Sequence, residues 1–252
     1  MNKEEQMMCS HLIDLADACD RRGYPVGSDF LTLNEQNLFL SFAKDKLAPV
    51  SISLCGGYEL AERKMIFYKP IGVGEEYPAP ISLLSIQPLI KKFSEELNHR
   101  DYLGALMNLG ISRAKMGDII VQDKEAYLIV SESIAEYICE NLTQIRHTSV
   151  TCKQIEWKDF NYVPKIKEIT GSIASVRLDT LIGLAFSQSR SKLTCYISDE
   201  KVQVNGKVIT SNAYTLKEND LISVRGLGKF RYKGISTTTK KGRLMAQLEL
   251  FV

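Results

Sequence analysis

The stretch Lys201-Val202-Gln203-Val204-Asn205-Gly206-Lys207-Val208 is the most restrictive feature of this sequence. Valines alternate with polar residues on both sides of an Asn-Gly pair. A two-residue hairpin of type I′ needs positive φ at both central positions, and Asn-Gly supplies them at least cost. The chain must therefore reverse here and lay two strands side by side, with the valines on one face. Upstream, Leu178, Leu181, Ile182 and Ala185 fall at i, i+3, i+4 and i+7, the stripe of a helix that Arg177-Leu178-Asp179 opens. Ser187 and Ser189 are N-cap candidates for a second helix. That helix has Arg190 and Lys192 in its first turn and Leu193, Tyr196 and Ile197 on its apolar side. Leu221 to Arg225 reads as a further strand ending at Gly226, and Lys229-Phe230-Arg231-Tyr232-Lys233 alternates basic and aromatic residues.

Charge singles out the same region. From Arg177 onward there are 13 Lys+Arg against 6 Asp+Glu, a net +7, whereas the first 176 residues carry 19 against 24, a net −5. A basic module on an acidic body points to a polyanionic partner for the C-terminal part. Amides at the second helix N-terminus, with Arg190 and Lys192 beside them, present positive potential to phosphate. Arg177, Lys201, Lys207, Arg225, Lys229 and Arg231 extend that potential, with Ser187, Ser189 and Asn205 as polar neighbours. Such a rigid basic surface suits structured RNA, where shape and backbone dominate recognition.

The rest of the chain reads as α+β. A helix over Lys3 to Arg22 stops at Gly23-Tyr24-Pro25, a second runs from Asn34 to about Lys46, and strands follow over Pro49 to Leu54 and Met65 to Tyr68. This gives a small N-terminal α/β unit over 1–74. Pro70, Pro78 and Pro80 with Gly72 and Gly74 mark a boundary. Over 75–160 the order is strand (Ile81 to Ile86), helix (Arg100 to Leu109), two strands (Asp118 to Val121, Ala126 to Val130), helix (Ser133 to Leu142) and strand (Ile145 to Val150). That order predicts a ferredoxin-like central domain, a topology shared by RNA-recognition modules and many unrelated proteins. Residues 161–176 are expected to be a linker to the domain at 177–252.

Several chemistries are excluded. The six cysteines (9, 19, 55, 139, 152, 195) contain no Cys-x-x-Cys pair, and the three histidines do not cluster with them, so no metal site or cofactor is expected. Gly56-Gly57 and Gly72-x-Gly74 lack the context of phosphate-binding loops and read as turns. His99-Arg100-Asp101 lacks the downstream Asn and Asp-Phe-Gly of a kinase. No apolar run approaches a membrane span, and a polar Met1 to Gln6 precedes no secretory stretch, so a cytoplasmic protein is expected.

The C-terminal segment resembles the αL RNA-binding domain named after ribosomal small-subunit protein four. The resemblance rests on Arg177-Leu178-Asp179, Ser187 to Lys192, Val202 to Lys207 and Asp220 to Gly226. Glu200 and Asn219 stand where that family usually has glycine. Upstream, Gly56 to Lys64, His99 to Arg113 and Gly117-Asp118-Ile119-Ile120 are similar to the bacterial YlmH family, over essentially the whole chain. The resemblance implies an RNA-binding factor from the cell-division gene neighbourhood of Gram-positive bacteria. It implies association with large ribosomal subunits that still hold peptidyl-tRNA, with rRNA and tRNA as partners. The implied task is template-free C-terminal tailing of the stalled chain in ribosome-associated quality control. Arg63, Lys64, Arg100 and Arg113 are candidates for a second RNA surface; internal ion pairs are their alternative use. Two rival classes stay open: an RNA-modifying enzyme (pseudouridine-synthase-like) with its active site in the first 175 residues, and a division-linked scaffold that binds protein partners through the N-terminal domains. Arg177-Leu178-Asp179 also resembles the Arg-Leu-Asp of pseudouridine synthases, in which the Asp is catalytic. The Asp179 motif lacks the large downstream catalytic domain such enzymes carry.

Overall fold

The computed structural model describes residues 2–43, 46–74, 77–160, 162–239 and 242–251, without the side chains of 190–192. Two compact units result, Met1–Asn161 and Tyr162–Val252.

The first unit begins with α1 (Lys3–Arg22), opened by a reciprocal Asn2–Glu5 capping box and closed by Gly23 at φ 70°. Its stripe Cys9, Leu12, Ala16 and Cys19 is buried. β1 (Val26–Leu31), which the sequence reading does not anticipate, follows directly. α2 (Leu33–Phe42) is capped by Thr32, two residues before the expected Asn34, because Glu35 completes a capping box with Thr32. β2 (Val50–Cys55) and β3 (Lys64–Pro70) complete an antiparallel sheet of order β1-β3-β2. Phe39, Ile66 and Tyr68 fill the core between this sheet and α1, and the Tyr68 hydroxyl donates to Leu12 O at 2.8 Å.

The chain continues through β4 (Ile81–Pro88), α3 (His99–Asn108), β5 (Met116–Gln122), β6 (Glu125–Ser131), α4 (Glu132–Asn141), β7 (Gln144–Ile145) and β8 (Thr148–Ile155). The sheet order β5-β6-β4-β8-β7 is antiparallel throughout. Without the short β7 this is the expected ferredoxin-like arrangement. The closing strand begins at Thr148, not Ile145, because Arg146 at φ 52° turns the chain between β7 and β8. Leu84, Ile86, Leu128, Val130, Tyr102, Leu106 and Ile138 form the core between the sheet and α3 and α4.

The expected boundary at residue 74 does not divide the chain into separate bodies. Phe30 and Met65 share a buried cluster with Leu83 and Ile129 on the sheet face away from α3 and α4. Gly57 sits against the Trp157 ring at φ 84°; a Cβ there would overlap the ring, so the turn requires glycine.

The second unit starts with β9 (Ile166–Ile173), inside the segment expected to be a linker. It then forms α5 (Leu178–Phe186), α6 (Arg190–Ser198), β10 (Val202–Val204), β11 (Lys207–Val208), β12 (Leu221–Val224), β13 (Gly228–Thr238) and β14 (Leu244–Phe251). These strands make one sheet, β11-β10-β12-β13-β14-β9. β9 pairs with β14 along all eight residues, from Ile173 opposite Leu244 to Ile166 opposite Phe251. The linker expectation fails because polar Lys167, Glu168, Thr170 and Ser172 read as solvated chain, whereas backbone bonds to a strand 71 to 85 residues away hold them. Leu178, Leu181, Ile182, Leu193 and Ile197 from the helices pack with Val202, Val204, Ile222, Phe230 and Leu248 of the sheet.

Candidate nucleic-acid interface

The start of α5 is closed on itself. The Arg177 guanidinium donates to both carboxylate oxygens of Asp179, at 3.1 and 3.0 Å, and the Thr180 amide and hydroxyl donate to Asp179 Oδ1 at 2.9 and 3.3 Å. Three of these bonds fall on Oδ1 and one on Oδ2, so most of the carboxylate is turned to local partners. Ser187, expected as an N-cap, instead ends α5 in the left-handed region (φ 53°, ψ 37°), and Ser189 takes the N-cap position of α6. The backbones of Arg190 and Lys192 lie in the first turn of α6, as expected, while their side chains lie outside the described residues.

The far end of α6 forms a Schellman motif. The Lys201 amide donates to Tyr196 O at 3.0 Å and the Glu200 amide to Ile197 O at 3.3 Å. This geometry places Glu200 at φ 58°, where glycine is the usual occupant. Asn219 is likewise left-handed, at φ 68°. The hairpin follows, with Asn205 and Gly206 at φ 49° and 78°, so the type I′ reading holds. Asn205 is spent on that turn. Its amide nitrogen donates to Asp220 Oδ1 at 2.8 Å, and its oxygen accepts from the Leu221 amide at 2.9 Å.

Strand register gathers part of the expected basic set. Gln203 lies opposite Ser223 and Ser223 opposite Lys229, while the Arg225 amide donates to Lys201 O at 2.9 Å. Lys201, Gln203, Ser223, Arg225 and Lys229 therefore surround one shallow cavity of about 320 Å3, with Glu200 at its rim. The Lys201 ammonium bonds Asp199 at 2.8 Å, which raises its pKa, and lies 5.6 Å from the Tyr196 ring centre. The exposed Arg225 and Lys207 side chains have no ion-pair partner among the described residues, and an arginine in that condition offers a full fork of donors to a phosphate. Arg231 stands apart. It faces Glu249 at 3.9 Å, a carboxylate shared with Lys233 at 3.5 Å.

The structure separates the second expected set. Arg63 Nε donates to Met116 O at 2.9 Å, and its Nη2 donates to Phe30 O and Arg113 O at 2.8 and 3.1 Å. Arg113 donates to Met116 O and Gly117 O. Asp118 accepts from the Tyr58 hydroxyl and from the Glu62 and Arg63 amides, at 2.9, 2.8 and 3.1 Å. Burial lowers the pKa of both arginines; Arg113, further pressed by the Arg63 charge, falls to about 10. Neither surface RNA contact nor simple ion pairing describes them: they bind backbone carbonyls and tie the N-terminal sheet to the central one. Lys64 is half-buried on β3, and Arg100 is exposed on α3. The residue near Arg100 that sequence reading overlooks is Arg146. Its only local signal is a Gln-Ile-Arg-His-Thr turn, and arginine is an uncommon residue at positive φ.

Residues 76–159 match the family model described as "Putative RNA-binding domain in YlmH", and residues 176–222 match that of the S4 domain. Among curated proteins, "Ribosome-associated protein quality control protein P2" of Bacillus subtilis (strain 168) is 33% identical over 227 residues, spanning 88% of this chain and 86% of that one. Among solved structures, "Cell division protein ylmH from Streptococcus pneumoniae" superposes with a TM-score of 0.50 at 20% identity, covering 63% of this chain and 95% of that chain. At that identity the likeness concerns the fold.

Proposed function

This chain belongs to the YlmH family, and from that premise we propose that it is a non-catalytic RNA-binding factor acting on the large ribosomal subunit in ribosome-associated quality control. Its partners are large-subunit rRNA and the tRNA of an obstructed subunit, and its task is to support template-free C-terminal tailing of the stalled chain. The observation that carries the RNA-binding part is the groove where Lys201, Arg225 and Lys229 converge on adjacent strands. Arg190 and Lys192, at the start of α6, add cations beside a helix N-terminus, where phosphate is favoured. Arg177 is a weaker contributor, because Asp179 already neutralises it. That same pair argues against Asp179 as the acid of a modifying enzyme.

The test is co-sedimentation of the whole protein with large subunits over a range of salt. Binding carried by phosphate contacts weakens steeply as salt rises. Arg190→Ala and the double change Arg225→Gln with Lys229→Gln should each reduce co-sedimentation at least tenfold, with thermal stability nearly unchanged. Wild-type co-sedimentation by both variants overturns the reading. Partners retained through ribonuclease treatment would instead favour a protein scaffold.

A further inference from the structure

The central sheet has the topology of RNA-recognition modules, yet the face such modules turn to RNA is largely taken. Phe30 and Met65 bury Leu83 and Ile129 there. Phe160 stands edge-on to Tyr127 at 5.1 Å and to Tyr58 at 5.7 Å, covering the aromatic ring best placed to stack on a base. The next row is internally paired: Gln87 donates to Glu125 at 3.0 Å, Glu125 also pairs with Lys91, and Lys153, opposite Ser85, remains an exposed cation on this face.

The opposite side of the same domain is open. A cavity of about 610 Å3 lies between α3 and the segment joining α4 to β7. Arg100 and Arg146 stand at it with the Asp101 carboxylate between them in the lining, and Asn108, Asn141 and Gln144 as further polar groups. The exposed Arg100 guanidinium has no partner among the described residues. The Arg146 side chain is 57% exposed and meets Asp101 only at 3.6 Å. The other oxygen of that aspartate, Oδ2, accepts from the Asn98 amide at 2.9 Å in the α3 capping box. Arg146 also holds φ 52°, a conformation that glycine or asparagine adopts at less cost. An exposed arginine held at a strained position beside the unpaired Arg100, with one surface ion pair at 3.6 Å, is an expense that such a pair does little to offset.

We propose that this groove is a second RNA-contact surface, taking the phosphodiester backbone of structured RNA, with Arg100 and Arg146 each meeting a phosphate. The proposal rests on the RNA-binding reading above and places it on the helical side of the central domain. Polar amides between two guanidiniums suit backbone and ribose contacts, which position RNA without reading its sequence.

The test titrates the whole protein with labelled, deproteinised large-subunit rRNA between about 50 and 200 mM salt. For the double variant Arg100→Gln with Arg146→Gln, the slope of log K against log salt should become shallower by about 1.4 to 1.8, at roughly 0.7 to 0.9 per lost phosphate contact. Affinity at low salt should fall about tenfold, and the lysine pair at the same positions should restore most of the slope. Lys153→Gln, an exposed lysine on the opposite sheet face, should change neither. An unchanged slope in the arginine variant, or a loss with Lys153→Gln alone, overturns the proposal. So does normal titration of free RNA with reduced co-sedimentation, which would assign the groove to a ribosomal protein. Arg225→Gln separates the two readings: if it weakens binding while the arginine pair does not matter, only the second surface fails. If the wild type shows no salt-dependent binding, both fail.

Discussion

Glu200 stands where three demands meet, and replacing it separates them. The Schellman motif that ends α6 holds this residue at φ 58°. A side chain in the left-handed region costs roughly 1–2 kcal/mol relative to glycine, while glycine gives back about 0.4–1 kcal/mol through the freer unfolded chain. Glu200→Gly should therefore stabilise the C-terminal unit by about 0.5–1 kcal/mol. It also removes a carboxylate from the rim of the groove lined by Lys201, Arg225 and Lys229. An exposed charge a few ångströms from a phosphate is a small screened term, so RNA affinity should rise roughly two- to threefold at low salt and less at high salt. Glu200→Gln removes the charge and keeps the backbone cost. It should tighten RNA binding equally and leave stability unchanged. Native-state hydrogen exchange of β10 and β12 amides, read beside an RNA titration, checks both outcomes. Glycine should slow exchange about two- to fivefold, given that 1.4 kcal/mol is a factor of ten. If both variants stabilise alike, charge rather than backbone dominates. If neither changes affinity, the groove does not face RNA.

Asp118→Ala strands the Glu62 and Arg63 amides and the Tyr58 hydroxyl, and removes a carboxylate that holds the charge of two half-buried arginines. It should destabilise the first unit by about 3 kcal/mol, seen as a lower urea midpoint; a loss under about 1 kcal/mol would mean water takes over the network. Asn205→Ala loses both turn-locking bonds and the tolerance for positive φ, at about 2 kcal/mol, while Asn205→Gly should lose roughly half that. Burial raises the Tyr68 pKa above its ordinary value near 10. The folded state then holds a proton that the unfolded state releases, so stability falls as pH rises above about 10. Tyr68→Phe should be less stable at neutral pH, through loss of the bond to Leu12 O, yet show a flatter alkaline profile.

What the sequence revealed was local. Asn205-Gly206 dictates its turn within two residues, and the stripe Leu178, Leu181, Ile182 and Ala185 is buried as its spacing requires. The strand–helix order of residues 81–155 was readable for the same reason: each element carries its own period. Information that depends on distant partners was hidden. Arg63 and Arg113 look like surface cations until Met116 O, Phe30 O and Gly117 O, contributed by other segments, are placed beside them. The brace from Asn205 to Asp220 was equally hidden, because it spans 15 residues. Arg146 gave no signal, since a positive φ at arginine is set by the β7–β8 reversal rather than by residue type.

The pairing of β9 with β14 bears on how this protein can be divided. The S4 match ends at residue 222, whereas the folded unit reaches back to β9 and forward through β14. A fragment begun at Arg177 would retain every basic residue assigned to the C-terminal groove, yet leave β14 as a bare edge of eight residues. The native edge, β9, is guarded by Lys167 and Glu168, whereas β14 alternates Leu244, Ala246, Leu248 and Leu250, and an apolar edge of that length recruits strands from other molecules. Such a fragment should self-associate at the concentrations used for binding studies. Insolubility there would reflect a missing border strand, and the natural point of separation lies ahead of Ile166.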